Sequence, residues 1–571
     1  MRTAWIAATL GFLLVLSGFQ SPGFPQRTAT VRFQDVTDQV LPYPIRPLAG
    51  LRDASWGFIA VGDYNGDGWD DLYINEMSMV HQFEGGAIMG RPNSGYLLRN
   101  AGGRFVDESS KLPVIDEDTE HRHVPVWCDY DGDGREDLLI GTGYDDEAPP
   151  GSQERLVGNL DVWLRNDGAR FVDVSRSIVV ENFDTRISKV NHGYTCADLD
   201  NNGFPDIILE NRFTPEVYGA SGQTPVFNVY MNYGNGRYRE ERESRGFRDM
   251  IARTSNIDPW GLTCYDFDRV RGTDCASSGG NLGRWILNKG NGFFDVNTGV
   301  YRPIADRQAY TNDNGWGDFD GDGRIDFADA ALTRIISIAL NNGSTTLNDG
   351  LRSAAQVDAG AKLRWRSMAI ADFDNDGKDD IFVTVEASGP QTADGHVTKA
   401  PDQLFLNRWP NFVEVGKAAG VDGGECVGKI ADFFGGIGEP YCTGGGGAAV
   451  IDFDRDGRLD LVVGYTPWFR GAVGIERIRV YRNITPNAGN WIGLIVQGRR
   501  ALGAMVTFEA CGKTHYRQVT PGTHHLAQNT RAVHVGLGSC TNRVLAKIEW
   551  SDGSVERTWL DRNRYYVVRR P

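Results

Sequence analysis

The stretch 451–460, IDFDRDGRLD, constrains this chain more than any other, because its pattern recurs along most of the sequence. Acidic side chains alternate at Asp452, Asp454 and Asp456, Gly457 follows, and Asp460 closes a nine-residue loop. A hard divalent cation such as Ca2+ takes six to eight oxygens at roughly 2.3–2.6 Å. Carboxylates at loop positions 1, 3 and 5 can face one centre if the backbone curls around it, and a glycine at position 6 permits the sharp turn. Position 7 then offers only its carbonyl, and position 9 supplies the last carboxylate. An EF-hand would place a bidentate Glu at position 12 and continue into a helix. Here the chain continues as Leu461, Val462 and Val463, the apolar run of a buried strand.

The same loop stands at Asp63, Asn65, Asp67 and Asp71, at Asp129, Asp131, Asp133 and Asp137, and at Asp198, Asp200, Asn202 and Asp206. It returns at Asp318, Asp320, Asp322 and Asp326, at Asp372, Asp374, Asp376 and Asp380, and in the opening stretch at Asp452, Asp454, Asp456 and Asp460. These side chains are the candidate metal ligands, for about six Ca2+ sites. A further copy is altered: Asp266, Asp268 and Asp274 keep positions 1, 3 and 9, but Val270 and Arg271 replace the ligand and the glycine at positions 5 and 6. Cys264 and Cys275 flank it, so a disulfide is expected to stand in for the cation there.

Loop starts recur about every 65 residues, and each copy reads as loop, strand, insertion, strand, turn, strand. The turn asparagines Asn100, Asn166, Asn232, Asn288, Asn341, Asn407 and Asn483 hold their place. Short strands separated by Asn, Gly and Asp, with 71 glycines and 11% aromatics, give an all-β profile. Seven four-stranded units arranged radially make a β-propeller, a ring that leaves only short edges. The last copy reaches Pro486 without delivering its final strand, while VRFQDVT at 31–37 is a strand with no neighbour. The expected solution is that this N-terminal strand completes the seventh blade and closes the ring.

Insertions at 76–94, 142–158, 213–225, 386–402 and 466–474 interrupt the same point of the repeat and are expected to crowd one face. The largest, 417–447, falls between units. From Asn490 the period stops, and strands are expected at 492–496, 504–509, 533–535, 544–550 and 555–560, with a turn at 551–553. The expected layout is a signal peptide over 1–22, a propeller over 31–487 and a small C-terminal β domain over 488–571.

Arg2 followed by an apolar run over 4–16 and a polar, Pro-containing segment is the pattern of a secretory signal peptide, too short to span a membrane. The protein is therefore expected to be secreted or periplasmic. Phe19, where a lipoprotein would have Cys, argues against a lipid anchor. Eight cysteines fit an oxidising compartment. The expected local pairs are Cys426 with Cys442, Cys264 with Cys275 and Cys511 with Cys540, which leaves Cys128 and Cys196 either paired or free. The formal charge of −16 lies largely in the loops, where cations would neutralise it, and argues against nucleic acid as a partner.

The aspartate loops resemble the calcium-binding FG-GAP, or VCBS, repeats of integrin-α-type propellers. The tail, with GAMVTF, PGTHHLAQN, HVGLG and IEWSDGS, resembles the ASPIC/UnbV domain. A propeller followed by that domain is the layout of the cartilage acidic protein family and its bacterial relatives, and the resemblance covers residues 31–571. This chain departs from it in the altered fourth loop and in the pair His524–His525, where aromatic or small polar residues are usual. The resemblance implies an extracellular calcium-binding protein that engages other macromolecules, and no settled reaction. No RGD tripeptide is present.

His121, His123, His524 and His525 are the obvious proton-transfer groups, yet no H-E-x-x-H or G-x-S-x-G motif accompanies them, so no catalytic residue is assigned. Two readings stand. One is a secreted binding or adhesion module that uses the insertion-bearing face for an extracellular protein or glycan, with calcium structural in the blade loops. The other is a calcium-dependent, lyase-like enzyme acting on an extracellular polysaccharide, in which the metal assists proton abstraction at a sugar acid. The loops look internally saturated, which favours the first.

Overall fold

The computed structural model describes residues 30–42, 57–75, 95–115, 122–142, 161–181, 191–211, 224–225, 227–234, 237–247, 251–252, 259–270, 272–279, 284–297, 311–331, 335–343, 351–358, 365–385, 401–423, 426–427, 441–442, 444–466 and 477–570. The expected signal peptide, most of the insertions, His121 and the side chains of His123, Cys426 and Cys442 lie outside the described residues. The strands bearing those two cysteines do pair, with Cys426 opposite Cys442.

Each aspartate loop joins two antiparallel strands, and its ninth residue opens the second of them. Phe58–Gly62 pairs with Asp71–Asn75, Arg122–Cys128 with Asp137–Thr142, Asn191–Ala197 with Asp206–Asn211 and Pro259–Tyr265 with Asp274–Gly279. Thr311–Gly317 pairs with Asp326–Ala331, Trp365–Ala371 with Asp380–Val385 and Gly444–Ile451 with Asp460–Thr466. Two further strands complete each sheet, and Val179–Glu181 adds a third to that of Asn191–Ala197. The first strands of successive sheets pack side by side, and Gly444–Ile451 packs back against Phe58–Gly62, so the sheets form a closed ring. The fold is all-β and propeller-like.

Small residues line the ring because its first strands converge. A Cβ on Gly62 would stand 2.5 Å from the Trp127 ring of the next sheet. Between neighbouring sheets the alternate apolar side chains meet: Ile59, Val61 and Leu72 pack with Ala449, Ile451 and Val462, which joins the first sheet to the last. Full burial of one such side chain stabilises by roughly 1.5–3 kcal/mol.

The last sheet takes its fourth strand from the N-terminus. Phe33–Asp35 pairs antiparallel with Arg477–Asn483, with Phe33 opposite Asn483. Phe33 also packs edge-on against Phe373, with ring centroids 5.5 Å apart. Ile484 N–H donates to the Arg32 carbonyl at 2.8 Å, and Val480 N–H to Thr37 Oγ1 at 2.9 Å.

Beyond Asn490 the chain builds two small sheets. One orders Val533–Gly538, Asn490–Gln497 and Tyr565–Arg569, and the other Lys513–Gln518, Met505–Ala510, Val544–Glu549 and Val555–Leu560. They share a core that includes Ile492, Val506, Phe508, Val535 and Ile548. This unit also sends a hairpin into the ring: Thr523–His524 pairs with Ala527–Gln528, and Ala527 lies parallel to Ile59. The first sheet of the ring thereby gains two strands at its inner edge. Disulfides join Cys128 to Cys196, Cys264 to Cys275 and Cys511 to Cys540. No helix among the described residues is long and apolar enough to cross a membrane.

Candidate metal centres

The loops share one local design. In the six intact copies, Oδ2 of the first aspartate accepts the N–H of the position-6 glycine at 2.7–3.0 Å, in the pairs Asp63–Gly68, Asp129–Gly134, Asp198–Gly203, Asp318–Gly323, Asp372–Gly377 and Asp452–Gly457. These glycines have φ between 83° and 92°. That left-handed conformation strains any residue with a Cβ, and it turns the backbone around the site. The position-5 side chain accepts the next backbone N–H but one, as Asp133 does from Arg135 at 2.9 Å and Asn202 from Phe204 at 2.7 Å.

The ninth aspartate and the turn asparagine work together. Asp71 Oδ1 accepts Asn100 N–H at 2.7 Å, and the same bond ties Asp137 to Asn166, Asp206 to Asn232, Asp274 to Asn288, Asp326 to Asn341, Asp380 to Asn407 and Asp460 to Asn483. Each asparagine then reaches into the preceding sheet and donates through Nδ2 to the carbonyl of a loop's second residue. Asn166 bonds Tyr64, Asn232 bonds Tyr130, Asn288 bonds Leu199, Asn341 bonds Phe267, Asn407 bonds Phe319 and Asn483 bonds Phe373. Asn100 completes the circuit by bonding Phe453 in the last sheet. The turn residues of the sequence pattern are therefore bolts between neighbouring sheets.

Carboxylate oxygens of Asp129, Asp131 and Asp137 lie within 4.8 Å of one another, as do those of Asp198, Asp200 and Asp206, of Asp318, Asp320 and Asp326, and of Asp372, Asp374 and Asp380. The altered loop behaves in the same way, for Asp266, Asp268 and Asp274 converge although Val270 and Arg271 interrupt the pattern. The Cys264–Cys275 disulfide sits beside that cluster rather than in its place. The spacing of these three acids alone keeps them together.

Burial holds the carboxyls of these loops up. Asp63, Asp129, Asp198, Asp318 and Asp452 rise to about 7, Asp326 to about 8, and Asp71 and Asp137 to about 9, with neighbouring loop carboxylates adding to the effect of desolvation. Asp206, Asp372, Asp380 and Asp460 are held well above the ordinary carboxylate value for the same reason. Asp63 Oδ1, Asp129 Oδ1, Asp374 Oδ1 and Asp71 Oδ2 are buried without a protein partner, an arrangement that costs free energy unless a cation or proton satisfies it. An all-oxygen donor set on a curled loop suits a hard cation, so the residues present fit such an ion.

The face that bears the loops meets the C-terminal unit. The C-terminal unit touches each of them: Gln497 Nε2 donates to Asp63 Oδ2 at 3.0 Å, Arg531 pairs with Glu136 at 2.6 Å and Arg499 stacks on Phe204. Asp266 N–H donates to Gln518 Oε1 at 2.8 Å, Tyr516 N–H to the Gly323 carbonyl at 3.0 Å, Gly538 N–H to the Asn375 carbonyl at 2.8 Å, and the Tyr565 hydroxyl to Asp452 Oδ2 at 2.9 Å. Nothing in the local sequence signals these partners.

The hairpin inside the ring carries the histidine pair. His524 Nδ1 lies 3.0 Å from Asp313 Oδ2, His525 N–H donates to Asp313 Oδ1 at 3.0 Å, and Ser367 Oγ donates to the His525 carbonyl at 2.9 Å. Both histidines are buried.

Two families match parts of this chain, one within the ring and one in the appended unit. The family described as "FG-GAP-like repeat" matches residues 318–383, and the one described as "ASPIC and UnbV" matches residues 496–570. Across most of its length the chain is similar to Cartilage acidic protein 1 of Xenopus tropicalis, with 24% identity over 567 residues, 92% of this chain and 74% of that protein. Cartilage acidic protein 1 of Mus musculus is 25% identical over 582 residues, 95% of this chain and 76% of that protein. Among solved structures, a lectin of Agrocybe aegerita described as recognising non-reducing terminal N-acetylglucosamine aligns with TM-score 0.38 and 15% identity, over 80% of this chain and 94% of that one. YCF48 of Cyanidioschyzon merolae aligns with TM-score 0.36 and 9% identity, over 75% and 95%.

Proposed function

We propose that this chain is an extracellular calcium-binding protein in which a seven-bladed propeller over 31–487, capped by a C-terminal β domain over 488–571, acts as a binding or adhesion module. The observation that carries the reading is the set of buried carboxylate oxygens without protein partners, Asp63 Oδ1, Asp129 Oδ1 and Asp71 Oδ2 among them. Calcium there is structural: it neutralises clustered buried charge and staples each loop to its sheet. Contact of the C-terminal unit with every loop supports this structural role.

The partner is an extracellular protein or glycan held on the opposite face. Successive antiparallel strands turn at alternate ends of a sheet, so links between second and third strands leave the ring away from the metal loops. The insertions at 76–94, 142–158, 213–225, 386–402 and 466–474 belong to those links in the sequence.

A calcium titration of chelator-treated protein, paired with thermal melts with and without chelator, tests the core of the proposal. About six or seven bound ions and a large loss of stability on chelation are expected. Absence of calcium binding would remove the basis of the reading.

A further inference from the structure

Two of the contacts between the C-terminal unit and the loops are side-chain hydrogen bonds to carboxylates that occupy position 1. Asp63 Oδ2 accepts from Gly68 N–H at 2.8 Å and from Gln497 Nε2 at 3.0 Å, and its Oδ1 is left buried without a partner. Asp452 Oδ2 accepts from Gly457 N–H at 2.9 Å and from the Tyr565 hydroxyl at 2.9 Å. A carboxylate that ligates a cation through one oxygen is oriented by what its other oxygen accepts, and loss of such an outer partner typically weakens metal affinity about 10- to 100-fold.

Gln497 and Tyr565 stand on one ribbon. Their strands pair in parallel, with Gly493 opposite Tyr565 and Gln497 opposite Arg569. The two loops they reach are neighbours in the ring, joined by the bond from Asn100 to the Phe453 carbonyl. The ribbon is seated further by Trp491, which packs so closely on Gly457 that a Cβ there would lie 1.7 Å from the indole. His534 Nε2 lies 3.2 Å from the Gly457 carbonyl, and Gly489 N–H donates to the Asp374 carbonyl at 2.9 Å. From the same unit the 523–528 hairpin enters the ring and pairs with the first sheet.

We infer that the C-terminal unit completes the metal centres of the first and last loops, with Gln497 and Tyr565 as positioning residues, so that cation loading and seating of the unit with its hairpin form one equilibrium. This rests on the calcium reading above. Binding linkage is reciprocal: whatever factor docking adds to metal affinity, the metal adds to docking. Chelation therefore loosens the hairpin in the ring as well as the loops outside it.

The test uses the full chain. Calcium titration calorimetry on Tyr565→Phe, which keeps the ring against Trp491 and removes only the hydroxyl, and on Gln497→Ala is combined with hydrogen exchange of the parent protein with and without chelator. The expected results are about a tenfold loss of affinity at one site in each variant with stoichiometry retained, and at least tenfold faster exchange over 523–528 after chelation. Full stoichiometry with unchanged affinities in both variants and unchanged exchange overturns the linkage while leaving the calcium reading intact. Because the coupling is reciprocal, movement of only one of the two readouts also overturns it. No calcium binding by the parent chain overturns both.

Discussion

The bonds of the turn asparagines show why the residue recurs. Asn166 accepts Gly168 N–H at 2.9 Å, which shapes its own turn, and donates to the carbonyls of Tyr64 and Glu136 at 2.8 and 3.0 Å. Removal of that amide strands buried carbonyls, at about 1–3 kcal/mol for each group left unpaired. Asn166→Ala should therefore lower the free energy of unfolding by about 2 kcal/mol or more in urea titrations, although the turn itself is exposed. Asp71→Asn separates the two tasks of the ninth position. Its amide oxygen can still accept from Asn100 N–H, so the fold should persist while the calcium stoichiometry falls by one. Turn propensity explained these asparagines from the sequence; their reach into the next sheet was hidden, because it joins residues as far apart as Asn100 and Phe453.

At the scale of elements, the N-terminal strand does more than add length to a sheet. Without Phe33–Asp35 the strand Arg477–Asn483 would present an open edge, which is a template for pairing between molecules. A chain that begins at Asp38 should melt at lower temperature and self-associate, as read by light scattering after size exclusion. This pairing was legible, since a lone strand at one terminus matched a missing strand near the other. The hairpin at 523–528 was not. Its sequence, THHLAQ, lacks a strong strand period, and its neighbours in the ring come from residues 59, 313 and 367, which no local pattern connects to it.

For the whole molecule, the proposed calcium sites make stability depend on both the cation and pH. A carboxyl whose pKa is higher in the folded than in the unfolded state stabilises the fold while protonated, and that contribution is lost as pH rises through the folded value. Loop aspartates raised to between about 7 and about 9 therefore make the chelated protein less stable as pH climbs from 6.5 to 9, whereas calcium-loaded protein should hold its melting temperature over that window. His515 and His534, pushed down to about 3 and about 4 by burial, act oppositely and at lower pH. Their stabilisation is present above the ordinary histidine value and fades as pH falls toward 4. With free calcium about ten times a site's Kd, each ion adds about 1.4 kcal/mol, so several sites together should shift melting by many degrees. By itself the sequence determined the repeat, the loops and the all-β ring, because metal-ligand spacing, turn chemistry and strand alternation are local and each copy restates them. Only the tertiary structure decided that the altered fourth loop keeps its acids together, that the C-terminal unit touches every loop and that its histidine hairpin enters the ring. Those outcomes depend on contacts between distant residues whose partners leave no mark in their own neighbourhood.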